Sequence, residues 1–530
     1  MKCSHIPYKK TGFFSKMISD YLEKNEDIQE FYHHYPDMEG FAAQILEKKN
    51  SFQESSRKVL VDVLQDQYRN VVTSQLTIKN INAIQNQETF TITTGHQLNL
   101  FTGPLYFLYK IISTINLSEH LATQFPDYHF IPIYWMASED HDFEEINYFN
   151  FKGNKIDWNR AGGGAVGRFS LEGLETVFSQ FSEHIENSKN AAYLKQLFKK
   201  AYLEQQTLSE ATRYIVNELF KEYGLVILDA DDQRLKNIFS PVIHDELINK
   251  TSFKTVSRTI NRLEKSYKVQ VKPREINLFY LLENARERIT EEDGKFHIHN
   301  TNILFSTAEI IRELENHPER FSPNVITRTV YQEMILPNIC YIGGGGELAY
   351  WLELKDYFDI LDISFPILLL RNSVQIITNK QVTKLNKLVI SYEELFLNNH
   401  NLIAKKIKEN SDVQFSFSDA KELLTQQFLA LRRVANSTDA SFTGAVDAQQ
   451  RKQLKGLENL KKRLLRAEKR KQSDLVRRIT ILQDQLLPNQ SLEERQRNFS
   501  EYYLSYGHEL IIALKKSLKP LRQVFTFLEL

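Results

Sequence analysis

Apolar runs that stop abruptly at polar or glycine-rich turns recur along this chain, with stretches of helical periodicity between them. The sharpest is 131–135 (IPIYW), which gives way to Ser138-Glu139-Asp140-His141-Asp142 and then Glu144 and Glu145. A run this short, rich in isoleucine and aromatics, predicts a strand buried on both faces, as in parallel sheets. Residues 89–94 alternate β-branched and aromatic side chains and predict a second strand. It runs into Gly95-His96-Gln97-Leu98-Asn99-Leu100-Phe101-Thr102-Gly103-Pro104. The segment LYFLYKIISTINLSEHLA that follows reads as a helix with Pro104 at its first turn. These pieces form a βαβ unit, whose right-handed crossover sets His96 and His141 on one edge of the sheet.

Three later runs repeat the theme. Residues 225–228 precede Asp229-Ala230-Asp231-Asp232, and 335–342 precede Gly343-Gly344-Gly345-Gly346-Glu347. Residues 365–370 close on Arg371-Asn372-Ser373. A helix is predicted over 348–358. The fold class that follows is α/β, a Rossmann-like parallel sheet with inserted segments.

Between and around these strands the pattern changes. Residues up to about 86 read as helical, and 151–167, with Gly162-Gly163-Gly164, as a loop. Helices are expected from about 171 to 223. Residues 252–322 mix strand-like pieces at 269–271 and 279–282 with a turn at Glu291-Glu292-Asp293-Gly294 and a helix over 307–315. Beyond about 376 the chain reads as helical, and 450–487 carries leucines and isoleucines at three-four spacing, which predicts a coiled-coil hairpin arm. A terminal helix over 491–527 is expected to pack back on the body. The expected domains are 1–150, N-terminal helices with the first part of the core; 151–222, a mostly helical insertion; and 223–251, core. Then come 252–322, a mixed insertion; 323–376, core; 377–490, the helical coiled-coil domain; and 491–530, the returning C-terminal helix.

Charge alters this picture in one place. Lys plus Arg equals Asp plus Glu at 67 each, which argues against bulk attraction to nucleic acid or anionic membrane. The arm, however, holds twelve basic residues against four acidic, so it carries +8 and the remainder −8. The plain reading of that arm is a solvated helix face. No apolar run reaches the roughly 18 residues of a membrane span, and the N-terminus lacks a secretory h-region. Two cysteines, Cys3 and Cys340, make neither a disulfide framework nor a zinc site. A reduced, cytoplasmic setting is expected.

Ligands of open α/β sheets bind beyond the carboxyl ends of the strands, so the turns named above are the candidate site. Gly95 and Gly103 permit close backbone approach, and the N-terminus of the helix after Pro104 favours an anion. Tyr106 lies in its first turn; Lys110, two turns in, reads by itself as a solvated helix lysine. His96 reads equally as a satisfied turn histidine or a functional one. Gly343, Gly344, Gly345 and Gly346 allow N–H groups to wrap a ligand, with Glu347 and Tyr350 following. No Walker A lysine follows them. Arg328 and Gln332 lie four apart, on one helix face. Asp229 and Asp231 suit Mg²⁺ in principle, but helix capping explains such residues better. His297 and His299 read as a solvated strand face.

Four motifs in this order, TTGHQLNLFTGPLYFLYK, FIPIYWMASEDHDFEEIN, FSPNVITRTVYQE and ILPNICYIGGGGELAYW, resemble the BshC family, the cysteine-adding enzymes of bacillithiol biosynthesis. The resemblance implies a Rossmann-like core with two connecting insertions and a coiled-coil arm that helps form a homodimer. It implies a ligase that joins the carboxyl of L-cysteine to the amine of glucosaminyl malate, and a core similar to nucleotide-binding class I synthetase cores. The family often has Gly-Gln-Gln where this chain has Gly95-His96-Gln97.

Amide formation from a free carboxylate is uphill in water, so an activated carboxyl, acyl-adenylate or acyl-phosphate, is expected, with ATP or another nucleotide as its source. The Gly95-to-Pro104 turn is expected to face the activating phosphates. His141, flanked by Asp140 and Asp142, is the candidate general base or amine-orienting group. Glu139 and Glu145, beside Ser138, suit the amino sugar's hydroxyls or ammonium, and Arg328 suits a malyl carboxylate. No metal is implied; a site from His96, Asp140 and His141 would lack any recognised ligand spacing. Two other classes compete: a metal-dependent phosphohydrolase using the Asp/His cluster with Asp229 and Asp231, and a non-enzymatic protein binding RNA or partners through its basic arm.

Overall fold

A computed structural model describes residues 2–530. The chain divides into two compact units, Met1–Ile376 with Glu493–Leu528, and Ile377–Leu492 with Glu529–Leu530. In chain order, the elements that build the site are helices α1 (Met38–Ser51) and α2 (Glu54–Tyr68), strand β1 (Thr89–His96), helix α3 (Tyr106–Gln124) and strand β2 (His129–Met136). They continue with β3 (Val226–Asp229), α4 (Gln233–Ile248), α5 (Val325–Ile335), β4 (Asn338–Gly343), α6 (Gly345–Leu352) and β5 (Ile367–Leu370).

The five strands form one sheet in the order β5-β4-β1-β2-β3, every pair parallel. This is the Rossmann-like α/β core that the apolar runs predict. The order reverses at β1, whose neighbours lead to β2 and β3 on one side and to β4 and β5 on the other. That reversal opens a crevice at the carboxyl ends of β1 and β4. Phe90 and Ile92 of β1, Ile339 and Ile342 of β4 and Ile367 and Leu369 of β5 pack with Phe41 and Ile45 of α1 and Leu117 and Leu121 of α3. Arg57 of α2, 2% exposed, donates to the Ile84 and Thr89 carbonyls at 2.9 and 2.8 Å and so pins the entry to β1.

The segment between β2 and β3 is largely helical (Leu174–His184, Lys189–Tyr202, Leu208–Phe220). The one between α4 and α5 holds a five-stranded antiparallel sheet including Leu278–Leu281, Arg286–Glu292 and Phe321–Pro323. The second unit is helical, and its longest helices, Ser418–Ala435 and Ala440–Lys471, pack through Phe428, Ala435 and Val446. Among the described residues no helix is long and apolar enough to cross a membrane.

Local expectations give way in several places. The loop read over 151–167 contains a hairpin, Tyr148–Phe151 with Asn154–Asp157, turned by Lys152 and Gly153 at φ 49° and 83°. Residues 269–271 are not a strand: the N–H groups of Gln270 and Val271 donate to the Glu353 carboxylate at 2.6 and 3.1 Å instead of to a ladder. That same buried Glu353 sits where the helix expected over 348–358 breaks into α6 and Lys355–Ile360. The N-terminal region opens on a strand, Lys2–Pro7. The single terminal helix resolves into Phe499–Tyr506, Glu509–Ser517 and a strand, Val524–Glu529, ordered between Lys2–Pro7 and Val374–Ile377. The arm pairs Ala440–Lys471 with Ser418–Ala435, upstream of the segment expected to form the hairpin, and breaks at Gln472 before Ser473–Leu486.

Candidate active site

A cavity of about 690 Å³ lies at the carboxyl ends of β1, β2 and β4. Its floor is Gly95, the penultimate residue of β1, where a side chain would meet the Tyr341 hydroxyl at 3.2 Å and Arg328 at 3.8 Å. Glycine leaves that space to a ligand. One wall is cationic. Lys110 is buried on α3, because the helix around it is apolar on nearly every face. Its ammonium donates to the Gly95 carbonyl at 2.6 Å and pairs with Glu347 at 2.6 Å. Burial lowers the Lys110 pKa against the pull of Glu347. Burial also opposes ionisation of Glu347, yet Lys110, the Gly344 N–H at 2.8 Å and the Tyr341 hydroxyl at 2.8 Å hold its carboxyl below the ordinary range.

Arg328, on α5, donates to the Tyr350 hydroxyl at 3.2 Å and to Gln332 at 3.3 Å and lies over the Trp135 ring. Burial works against its charge, but Tyr350, Tyr341 and Glu347 raise its pKa. A buried polar chain backs it. Gln332 donates to Glu333 at 2.9 Å, Glu333 pairs with Lys48 of α1 at 3.2 Å, and Asn338 links Glu333 to Thr93 of β1 at 2.7 and 2.8 Å.

The facing wall is acidic. Asp140 accepts from Gln97 at 2.9 Å and from the His141 N–H at 2.8 Å. Burial disfavours its charge, but His141, Gln97 and the Arg286 guanidinium hold its carboxyl well below the usual carboxylate range. Gln97 also donates to Glu145 at 3.1 Å, so it bridges the two carboxylates. Behind them Glu139 pairs with Lys236 of α4 at 2.5 Å, and burial raises the Glu139 pKa. Ser138 donates to Asp229, and Arg168 grips Asp231 bidentately at 2.7 Å.

Of the residues singled out from sequence, Gly95, His96, Gln97, Tyr106, Lys110, Ser138, Glu139, Asp140, His141, Glu145, Arg328, Glu347 and Tyr350 line this one cavity. His96 lies among the Tyr106 and Phe107 rings, and burial together with Lys110 and Arg371 drives its pKa far down, so it is neutral. Among the described residues its Nε2 is buried without a hydrogen-bond partner. Gly103 and Pro104 do not line the cavity. Phe101, at φ 47°, sinks into Phe149, Phe181, Phe198 and Phe499 and takes the turn with it, while Asn498 binds the Phe101 and Gly103 carbonyls. The Leu105 N–H at the head of α3 donates to the Arg497 carbonyl, so that helix end is no open anion site. Gly343, Gly344, Gly345 and Gly346 also stay outside the lining: Gly345 packs toward Phe14 and Ile18, and the run serves as a tight strand-to-helix turn. Gln332 supports Arg328 from behind, and Asp142 is exposed outside the lining. Capping before α4 falls to Asp232. With Asp229 and Asp231 committed to Ser138 and Arg168, they do not complete a metal donor set with Asp140. Among the described residues, the group of three ligating side chains within 4.8 Å of one another is His33, His34 and Glu47, none of them in the cavity.

Arg286, Tyr341, Phe279 and Arg274 line the cavity without having been singled out. Arg286 belongs to the strand Arg286–Glu292 of the second insertion and is stacked on Phe279 at 4.0 Å. No local pattern marks it in NARERIT, because its partner in the site, His141, is distant in sequence.

Residues 1–372 match the family described as "Bacillithiol biosynthesis BshC, N-terminal Rossmann-like domain", and residues 374–530 match "Bacillithiol biosynthesis BshC, C-terminal coiled-coil domain". The chain belongs to the BshC family. A BshC relative from Christiangramia forsetii is 54% identical over 100% of this chain and 99% of its own length. One from Flavobacterium johnsoniae is 52% identical over 99% of both, and one from Cytophaga hutchinsonii 40% identical over 96% of this chain and 95% of its own. Each bears the name "Putative cysteine ligase BshC". A ligase of bacillithiol biosynthesis is the coarse assignment that these BshC relatives support.

Proposed function

We propose that this chain joins the carboxyl of L-cysteine to the amine of glucosaminyl malate, forming bacillithiol, and that the cavity at the ends of β1, β2 and β4 is where it does so. The observation that carries the reading is the cavity's division into a cationic and an acidic wall above a glycine floor. A substrate with malyl carboxylates at one end and an amino sugar at the other needs that division. Arg328, held by Tyr350 and Gln332, presents a planar fork to a carboxylate. Asp140 and Glu145, bridged by Gln97, suit an ammonium and sugar hydroxyls. Lys110 and Glu347 neutralise each other and fix the floor.

The carboxyl must arrive activated, and ATP is the proposed source. The residues that fit a phosphate are Lys272 and Arg274, both exposed at the cavity and, among the described residues, without a carboxylate partner in its wall, with the space above Gly95. The buried Gly103–Pro104 turn does not fit that role. L-cysteine and glucosaminyl malate are the proposed small-molecule substrates, and the proposed assembly is a homodimer through the coiled-coil unit. Incubating purified protein with both substrates, with and without ATP, and following the joined mass by mass spectrometry tests the assignment.

A further inference from the structure

We infer that Arg286 is a positioning residue that fixes the proton of His141 on Nε2, so that His141 donates a hydrogen bond to a substrate oxygen and does not take a proton from the amine. The inference rests on the ligase reading of the cavity and deepens it.

The Arg286 side chain is 7% exposed, and each of its three nitrogens has a partner. Its Nε donates to Ser322 Oγ at 3.0 Å and its Nη2 to the Pro323 carbonyl at 2.7 Å, which orient the plane of the guanidinium. The remaining nitrogen, Nη1, lies 2.9 Å from His141 Nδ1. A guanidinium has donors and no acceptor. His141 Nδ1 must therefore supply a lone pair, and a neutral ring with that lone pair carries its hydrogen on Nε2. A protonated ring would set an N–H against an N–H and two cations 2.9 Å apart.

Asp140 is the competitor for Nδ1, and it stands beyond hydrogen-bond distance. Its Oδ1 stands 3.6 Å from His141 Nδ1 and 3.6 Å from Arg286 Nη1, while it takes a 2.8 Å bond from the His141 backbone N–H. Where a carboxylate orients a catalytic base, it accepts from Nδ1–H and leaves Nε2 free to take a proton. Here the arginine has replaced the carboxylate at Nδ1, and the polarity of the imidazole is reversed. His141 lines the cavity against Phe279, and Nε2–H is its remaining polar group. An N–H placed there stabilises negative charge on an oxygen.

The test uses the full-length protein with ¹⁵N-labelled histidine. The His141 resonances, assigned by their loss in His141→Gln, are expected to show the Nε2–H neutral form near neutral pH, and Arg286→Met is expected to shift the ring toward the Nδ1–H form as Asp140 becomes its partner. In turnover, His141→Gln, whose amide places an N–H near the Nε2 position, is expected to lose about 10-fold. His141→Ala is expected to lose about 100-fold or more. A wild-type ring in the Nδ1–H or protonated form overturns the inference, as does a His141→Gln variant no better than His141→Ala. Absence of joined product from wild type sinks the ligase reading instead, and the ring's tautomer, read without any substrate, still decides the role of Arg286.

Discussion

Arg328 and Lys110 do different work although both are buried cations in one cavity. Lys110 is paired directly with the Glu347 carboxylate, whereas Arg328 hydrogen-bonds a phenol and an amide and feels Glu347 without a direct ion pair among the described residues. Its charge is therefore available to an anionic ligand. Arg328→Ala is expected to reduce kcat/KM for glucosaminyl malate by about 100-fold, chiefly through KM, with little rescue by Arg328→Lys, because an ammonium lacks the planar fork. Steady-state kinetics at varied glucosaminyl malate checks this, and an unchanged KM would move the malyl group elsewhere. At this scale the sequence was legible where chemistry sits beside a strand end. Asp140, His141 and Glu145 follow directly on β2. Lys110 reads by itself as a solvated helix lysine, yet it is buried, in keeping with the apolar residues of FLYKII around it. Arg286 was invisible because its contact with His141 spans more than a hundred residues of sequence.

At the scale of elements, the segment carrying Val271, Lys272 and Arg274 to the cavity is fastened by Glu353 at the break after α6. Burial pushes the Glu353 carboxyl up to about 7 from 4.5, against the two backbone N–H bonds, and burial likewise pushes Glu493 up to about 7. A carboxyl whose pKa is higher in the fold binds its proton more tightly there. Its stabilisation is complete below about 4.5 and is lost as the pH rises to about 7. Thermal unfolding is thus expected to show a Tm that falls between about pH 5 and about pH 8, with a shallower fall in Glu353→Gln. Identical slopes would remove Glu353 from the account. The buried Lys48–Glu333 pair behind Arg328 makes a second test. Lys48→Ala leaves Glu333 uncompensated, and a loss of about 3–5 kcal/mol is expected, read as a lowered Tm beside a double variant Lys48→Met, Glu333→Leu that loses less. The core strands were legible because runs such as 131–135 are apolar throughout. The Lys152-Gly153 hairpin and the unpaired 269–271 were not: one turns on a positive φ at a lysine, and the other answers to a single buried carboxylate far along the chain.

For the whole molecule, the alternation of strands and helices and the leucine pattern over 450–487 predict a Rossmann-like core and a coiled-coil arm, and the family matches over 1–372 and 374–530 bear out that fold class. What the pattern could not announce was which turns meet: the Gly103–Pro104 and Gly343–Gly346 turns look equally promising as text, yet aromatic burial takes one out of the cavity and packing against Phe14 and Ile18 takes the other. The coiled-coil unit exposes Leu423 (62%), Leu429 (50%), Val434 (61%) and Phe442 (45%), apolar area that a second copy would cover. Light scattering is expected to give twice the chain mass, and Leu429→Glu with Val434→Glu the mass of one chain; a wild-type monomer would remove the proposed dimer. The central claim concerns the reaction itself. Purified protein incubated with glucosaminyl malate and L-cysteine, with and without ATP, is expected to yield the amide-joined product, detected by mass, only when ATP is present. Absence of that product under both conditions would contradict the account.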